Sequence, residues 1–356
     1  MKFACQDKNA EVAKAATLAW KTIAFHPIEP PKTTVDQAPP KQTAPKQSME
    51  VEDLKVTILD ESIGSRLLVA IGDEGRSIYT LDPVSGAIRR LGWDGKELAS
   101  TTGGNNANVL SICAEGVVVA NANDLKLFDA SKLSIARSGP LDNAKWVASV
   151  PGSSIGVARC DSTRYIRVVD FSNFNSPVFY SDAKLGTVGK SEPTMTVDGR
   201  TLFTRGGGRL YRWRIDGTRL PFPETGPVLG AEGGQIVISN DGRFVALFYP
   251  DGNSPEAGLG VKVSAGATVV FATADFKKPA YVIEHGVKAQ ALALDAQGAW
   301  VSMPDHTLVR FGLDGKKRKD YPAFAGATAK QLYPSQDGTR LVILTDGKLI
   351  GVQTGK

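Results

Sequence analysis

One local pattern recurs down most of this chain and limits its fold more than any other feature. An apolar run ends in a short turn holding a glycine, and a second apolar run leaves it: SNDGRFVAL at 239–247, SQDGTRLVIL at 335–344, TVDGRTLFT at 196–204 and DAQGAWVS at 295–302. Looser copies are CAEGVVVA at 113–120, SVPGSSIGVA at 149–158 and DESIGSRLLVAI at 60–71. A tight hairpin needs positive φ, which glycine adopts without steric cost, and a preceding Asp or Asn bonds the turn backbone. Gly64, Gly116, Gly152, Gly199, Gly242, Gly298 and Gly338 therefore mark seven hairpins spaced about forty residues apart.

A second family of strands ends near an Asp: SIYTLDPVSG at 77–86, DLKLFDASKL at 124–133, YIRVVDFSNF at 165–174, RLYRWRIDG at 209–217, TVVFATADF at 268–276 and HTLVRFGLDG at 306–315. They read as third strands, with KLIGVQTGK at 348–356 as a seventh. Four strands in a repeat of this length is the geometry of a propeller blade, so residues 51–356 are expected to form an all-β, seven-bladed β-propeller. Long amphipathic helices are absent from the pattern.

The first fifty residues differ. NAEVAKAATLAW at 9–20 has apolar side chains at helical spacing behind the capping candidates Asp7 and Asn9, which predicts a short helix within an arm spanning 1–25. Residues 26–50 read as a linker, because six prolines between His26 and Lys46 favour extended backbone and offer little to pack. Asp53–Leu59 is expected to open blade one, and Trp20–Phe25 to close the ring by completing the last blade, which otherwise stops after its third strand.

SMPDHTLVRFGLDGKK at 302–317 resembles the third strand of a WD40 repeat, with Ser302, Asp305, Thr307, Val309, Phe311 and Asp314 at the corresponding positions, and NANDLKLFDASKL resembles the same strand. The chain departs from the family in lacking a Gly-His dipeptide, and Trp93-Asp94, its only Trp-Asp pair, reads as following a fourth strand. The resemblance, to a divergent WD40-like propeller of the wider WD40, YVTN and quinoprotein type, covers residues 54–353 and implies a protein-interaction role. LDPVSGAIRRLGW at 81–93 resembles the docking motif of quinoprotein-type propellers, in one blade only.

Composition narrows the function classes. The net charge of +5 comes from 42 basic and 37 acidic residues, too small and scattered an excess to point to nucleic acid. No stretch is long and apolar enough for a membrane helix, and Asp7 and Lys8 interrupt any signal-peptide core, so a cytoplasmic, monomeric protein is expected. Cys5, Cys113 and Cys160 form no pair at metal-ligand spacing. No metal and no cofactor is expected.

Three motifs with chemical associations read as ordinary structure. Gly152-Ser153-Ser154-Ile155-Gly156 fits an esterase elbow, but it crosses a hairpin with no helix behind it. GTVGKS at 186–191 lacks the first glycine of a phosphate loop, and His306 begins a strand where hydrogen bonding is the usual role. Lys316, Lys317, Arg318 and Lys319 read as a solubilising hairpin tip.

Two features suggest recognition. Arg205, Arg209, Arg212, Arg214 and Arg219 crowd blade four, with Tyr211 and Trp213 on the alternate face of RLYRWR, a ridge suited to an acidic partner. In blade five the second-to-third hairpin expands to YPDGNSPEAGLGVKVSAGA at 249–267, and it is expected to share a face with 92–108, 181–193 and 221–234. The candidate partner-binding residues are Trp93, Arg205, Arg209, Arg212, Arg214, Tyr249, Asp251 and Asn253, on a non-enzymatic scaffold for a protein partner. The competing class is a propeller hydrolase or lactonase, or a cofactor-bearing oxidoreductase, which would need acids or His converging on the central channel.

Overall fold

The computed structural model describes residues 54–353 apart from 62, 65, 73–74, 141–143, 161–164, 174–177, 181–192, 207–208, 217–222, 229–233, 250–265, 287–288 and 322–327. These lie in the second of two units, Val51–Lys356. The expected helix at 9–20, the Pro-rich linker and the Trp20–Phe25 segment lie outside the described residues.

Twenty-eight strands form seven antiparallel sheets of four, with no helix among the described residues. The chain is a seven-bladed β-propeller. Strands run from inside to outside in each of the first six blades, and the inner strands of most neighbouring blades touch.

The second strand of blade five, Phe244–Phe248, shows why the strands are apolar throughout rather than alternating. Val245 and Leu247 join the core cluster shared with blade four, whereas Ala246 and Phe248 join the one shared with blade six. Each blade is buried on both faces, as strands in covered sheets are. Apolar clusters of this kind fill every seam, including the one between blades seven and one, where Leu59, Val342 and Leu349 meet Leu67, Ile78 and Leu91.

The ring is closed by Lys55–Asp60. This strand pairs with Leu349–Gln353, with Val56 opposite Val352 and Ile58 opposite Ile350, and supplies the outer strand of blade seven. The expectation that Trp20–Phe25 closes the ring is thereby corrected, and so is the frame of blade one. Its four strands are Leu68–Gly72, Ser77–Leu81, Ala87–Leu91 and Glu97–Thr102. The physical reason is a crossover: the chain must pass from the outer edge of blade seven to the inner position of blade one. Gly64 lies in that passage, where Leu67 N donates to Gly64 O at 3.3 Å, and the inner hairpin turns instead at Gly75, with φ of 86°. SIYTL is therefore a second strand, and Trp93-Asp94 follows the third strand of blade one.

The other six hairpins fall where the glycine pattern puts them. In three of them Thr196, Ser239 or Ser335 donates its hydroxyl, at 2.6 Å, to Asp198, Asp241 or Asp337 two residues on. Two others are tighter. Gly116 and Gly298 have φ of 147° and 146°, and a Cβ there would lie 2.2 Å from Phe128 O and 2.0 Å from Phe311 O.

Two outcomes follow from these contacts. Gly298→Ala combines a disfavoured φ with a clash against strand backbone, and is expected to lower unfolding free energy by about 2 kcal/mol or more in denaturant titrations. A chain shortened to begin at residue 61 is expected to melt several degrees below one beginning at residue 51, and to self-associate, because blade seven then loses its outer strand and opens the edge of the apolar strand Leu349–Gln353. Equal melting temperatures would overturn the closing role of Lys55–Asp60.

Candidate functional site

Strand direction sorts the connections onto two faces. First-to-second and third-to-fourth hairpins share one, the hairpin face; second-to-third hairpins and blade crossovers share the other, the loop face. The residues 249–266 separate Phe244–Phe248 from Ala267–Ala272, second and third strands of blade five, so the chain leaves and re-enters on the loop face. The crossovers after Thr102, Tyr180 and Val228 lie on that side too. Trp93 does not: Gly92–Lys96 is a third-to-fourth turn, closed by Gly92 N to Lys96 O at 2.9 Å on the hairpin face. Residues 221–223 likewise belong to a third-to-fourth connection.

The candidate residues thus fall into three groups. Trp93 is half-buried at the seam of blades one and seven, where its indole donates to Gly75 O at 2.6 Å and the Arg340 guanidinium sits 5.1 Å from the ring centre. Arg205 and Tyr249 meet under the loop face between blades four and five. Tyr249 is 2% exposed and Arg205 is 3% exposed, with the guanidinium 5.5 Å from the Tyr249 ring centre and Nη1 3.5 Å from Gly234 O. They support the roots of the loops rather than stand out from them, because residues at strand ends in a two-sided blade point into a seam. Arg209, half-buried, starts the third strand of blade four on the same face. Asp251 and Asn253 lie outside the described residues.

Arg212 and Arg214 form the third group, at the opposite end of the same strand. Arg212 is buried across the seam of blades four and five. It donates to Thr273 O at 2.5 Å, Ala274 O at 2.8 Å and Glu224 Oε2 at 2.6 Å, and it lies 4.6 Å from the Phe276 ring centre. Arg214 is exposed and shares Glu224, through Oε1 at 3.1 Å. Alternation does place Trp213 on the other side, where its indole donates to Thr204 Oγ1 at 2.8 Å. A sequence scan could not see that Arg212 staples blades. The signal becomes visible only when seams are compared: Arg137 donates to Phe171 O at 2.8 Å, Arg243 to Ala296 O at 2.9 Å and Arg340 to Gly75 O at 3.3 Å. Each reaches from one blade to a turn carbonyl on the next.

The groups a catalytic reading would need are otherwise engaged. Among the described inner strands the one carboxylate is Asp295, which accepts from Arg310 at 2.6 Å, Trp300 at 3.0 Å and Gln297 N at 2.8 Å. Ser154, the serine of the esterase-like pattern, runs directly into the strand Ile155–Cys160 and its carbonyl accepts from Phe171 N at 2.8 Å, so it stands on a strand hairpin and not on a strand-to-helix turn. His285 pairs with Thr268 at 3.3 Å and His306 with Thr328 at 2.8 Å. Burial pushes the Cys113 thiol up to about 12, away from thiolate chemistry. No group of three or more potential metal-binding side chains occurs among the described residues. GTVGKS lies outside them. In the cluster at 316–319, Lys317 pairs with Asp320 and Arg318 with Asp314. Among the described residues no helix is long and apolar enough to cross a membrane.

The β-propeller domain of Cps50 (Swd1) from Myceliophteria thermophila matches 85% of this chain and 100% of its own length, with a TM-score of 0.63 at 11% identity. The likeness is one of fold: both are β-propellers. No protein-family model matches the sequence, and no curated protein does either. The WD40-like strand at Leu308–Gly312 sits where the resemblance puts it, as a third strand, with Asp305 accepting from Thr307 N at 3.0 Å in the preceding turn.

The Glu224 carboxyl is held below the ordinary range, chiefly by its hydrogen bond from Arg212, against a smaller opposing effect of burial. A depressed folded value means that this pair contributes stability above the unfolded carboxyl pKa and loses it as pH falls through the lower folded one. Arg212→Gln is expected to cost about 2 kcal/mol near neutral pH, discounted for the half-exposed Glu224, and to flatten the loss of stability below about pH 4. Melting curves across pH check both; an unchanged acid limb would overturn the assignment.

Proposed function

We propose that this propeller is a non-enzymatic platform that binds a protein partner through its loop face. The observation that carries the reading is the blade-five interruption. Six second-to-third connections are five residues or shorter, whereas this one carries 250–265 between strand ends, Phe248 and Ala267, that lie on the side of the blade crossovers. Rigid blades presenting adaptable connections are a common way to build recognition. Asp251 and Asn253 belong to that insertion, and Arg205, Arg209 and Tyr249 lie at or beneath its base. The engaged state of Asp295, His285 and His306 favours a platform over channel-centred catalysis.

Deleting 252–264 is expected to leave the melting temperature within about 2 °C of the parent, since the flanking strands keep Val245, Leu247, Val269 and Phe271 in their core cluster, while abolishing co-purification of a partner captured by the full chain. Retained capture would count against the loop face. Turnover of an ester or lactone panel, lost in an Asp295→Asn variant that still folds, would move the protein to the enzyme class.

A further inference from the structure

We propose that the cleft between blades four and five on the hairpin face is a second recognition site, which takes an oxyanion carried on an acidic peptide segment. The proposal rests on the platform reading but uses the opposite face. The cleft has a volume of about 650 Å³, within the range of ligand-binding pockets, and is lined by Asp198, Arg200, Arg212, Arg214, Asp216 and Asp241 together with neighbouring turn residues.

Three arginines and three aspartates would suit a ligand of either sign if all were equally free. They are not. Asp198 Oδ1 already accepts from Thr196 Oγ1 at 2.6 Å and from Arg200 N at 3.0 Å. Asp241 accepts from Ser239 Oγ at 2.6 Å, from Arg243 N at 3.1 Å and from the Arg243 guanidinium. Two of the three acids are thus engaged by donors of their own hairpins. Only Asp216 has no donor among the described residues.

The arginines are in the reverse condition. Arg212 and Arg214 share the single carboxylate of Glu224. Arg212 has its two terminal nitrogens on Thr273 O, Ala274 O and Glu224 and its Nε enclosed by protein, so the donors open to a ligand are those of Arg214 and Arg200. Arg214 uses one N–H and exposes the rest, and the exposed guanidinium of Arg200 meets no acceptor among the described residues. Each guanidinium carries five donors and no acceptor, in a fork that matches carboxylate or phosphate oxygens. The cleft is therefore donor-rich despite its balanced formal charge, and a ligand bringing acceptors completes it.

The test uses the full chain with three labelled hexapeptides: hexaglutamate, a phosphoserine-containing peptide and hexalysine. Fluorescence anisotropy is expected to show saturable binding of hexaglutamate, of the phosphopeptide, or of both; which one binds identifies the oxyanion as carboxylate or phosphate. Affinity should fall at least tenfold in Arg200→Gln/Arg214→Gln, whose side chains are exposed and leave the fold intact, and should rise in Asp216→Asn. Hydrogen exchange should slow at 196–201 and 241–243 on binding. Preference for hexalysine, absence of binding by both acidic peptides, or wild-type affinity in the double variant would overturn the proposal. The chain lacking 252–264 should still bind the peptide, so loss of this site and loss of the loop-face reading give different results.

Discussion

Everything in this molecule depends on the antiparallel pairing of Lys55–Asp60 with Leu349–Gln353. A propeller blade buries both of its faces only if it has a neighbour on each side, and a row of seven blades leaves two without one. Joining the first strand of the ring to the last blade removes the ends. The joint is reinforced on its inner side: Asp60 pairs with Arg89 of blade one, and Leu59 packs beneath Trp93 against Gly351, where a Cβ would come within 3.3 Å of both side chains. Closure of the seam at Val342, Leu349, Ile78 and Leu91 is then a consequence of the strand's register rather than an independent feature.

The seams divide the labour between apolar and charged side chains. Val, Leu, Ile and Phe from facing strands fill the depth of each seam, and their burial supplies the drive to stack blades. Arginines act at the hairpin face, where Arg137, Arg212, Arg243 and Arg340 donate to turn carbonyls of the adjoining blade. This explains why a basic excess spread along the chain need not imply a polyanion: several of the cations are structural. It also makes the two faces physically unlike. One is tied by short Asp-capped hairpins and guanidinium bridges, and the other carries long connections between rigid strands.

Legibility followed the range of the interaction concerned. Six inner hairpins were readable because Gly116, Gly152, Gly199, Gly242, Gly298 and Gly338 answer to local turn geometry. Gly64 imitated that signal while serving a crossover, and Gly75, the true turn, sat among residues with weaker flanking pattern. That single substitution shifted blade one by a strand and moved Trp93 to the wrong face. Tyr249 looked like an exposed anchor because it borders the insertion, yet its ring belongs to the seam under Gly234. The arginine ridge appeared as one surface because strand alternation groups Arg212 with Arg214; the length of the strand separates both from Arg205 and Arg209.

Composition and spacing alone determined that the chain is an all-β repeat protein with seven sectors, since hairpin chemistry and two-sided burial act over a few residues and leave a mark on each copy. Tertiary structure decided which strand closes the ring, which arginines are consumed in stapling blades, and which donors remain without acceptors in the cleft of blades four and five. Those outcomes turn on partners such as Asp60 and Arg89, or Arg212 and Thr273, that are remote in the chain and become neighbours only when the circle of blades is complete.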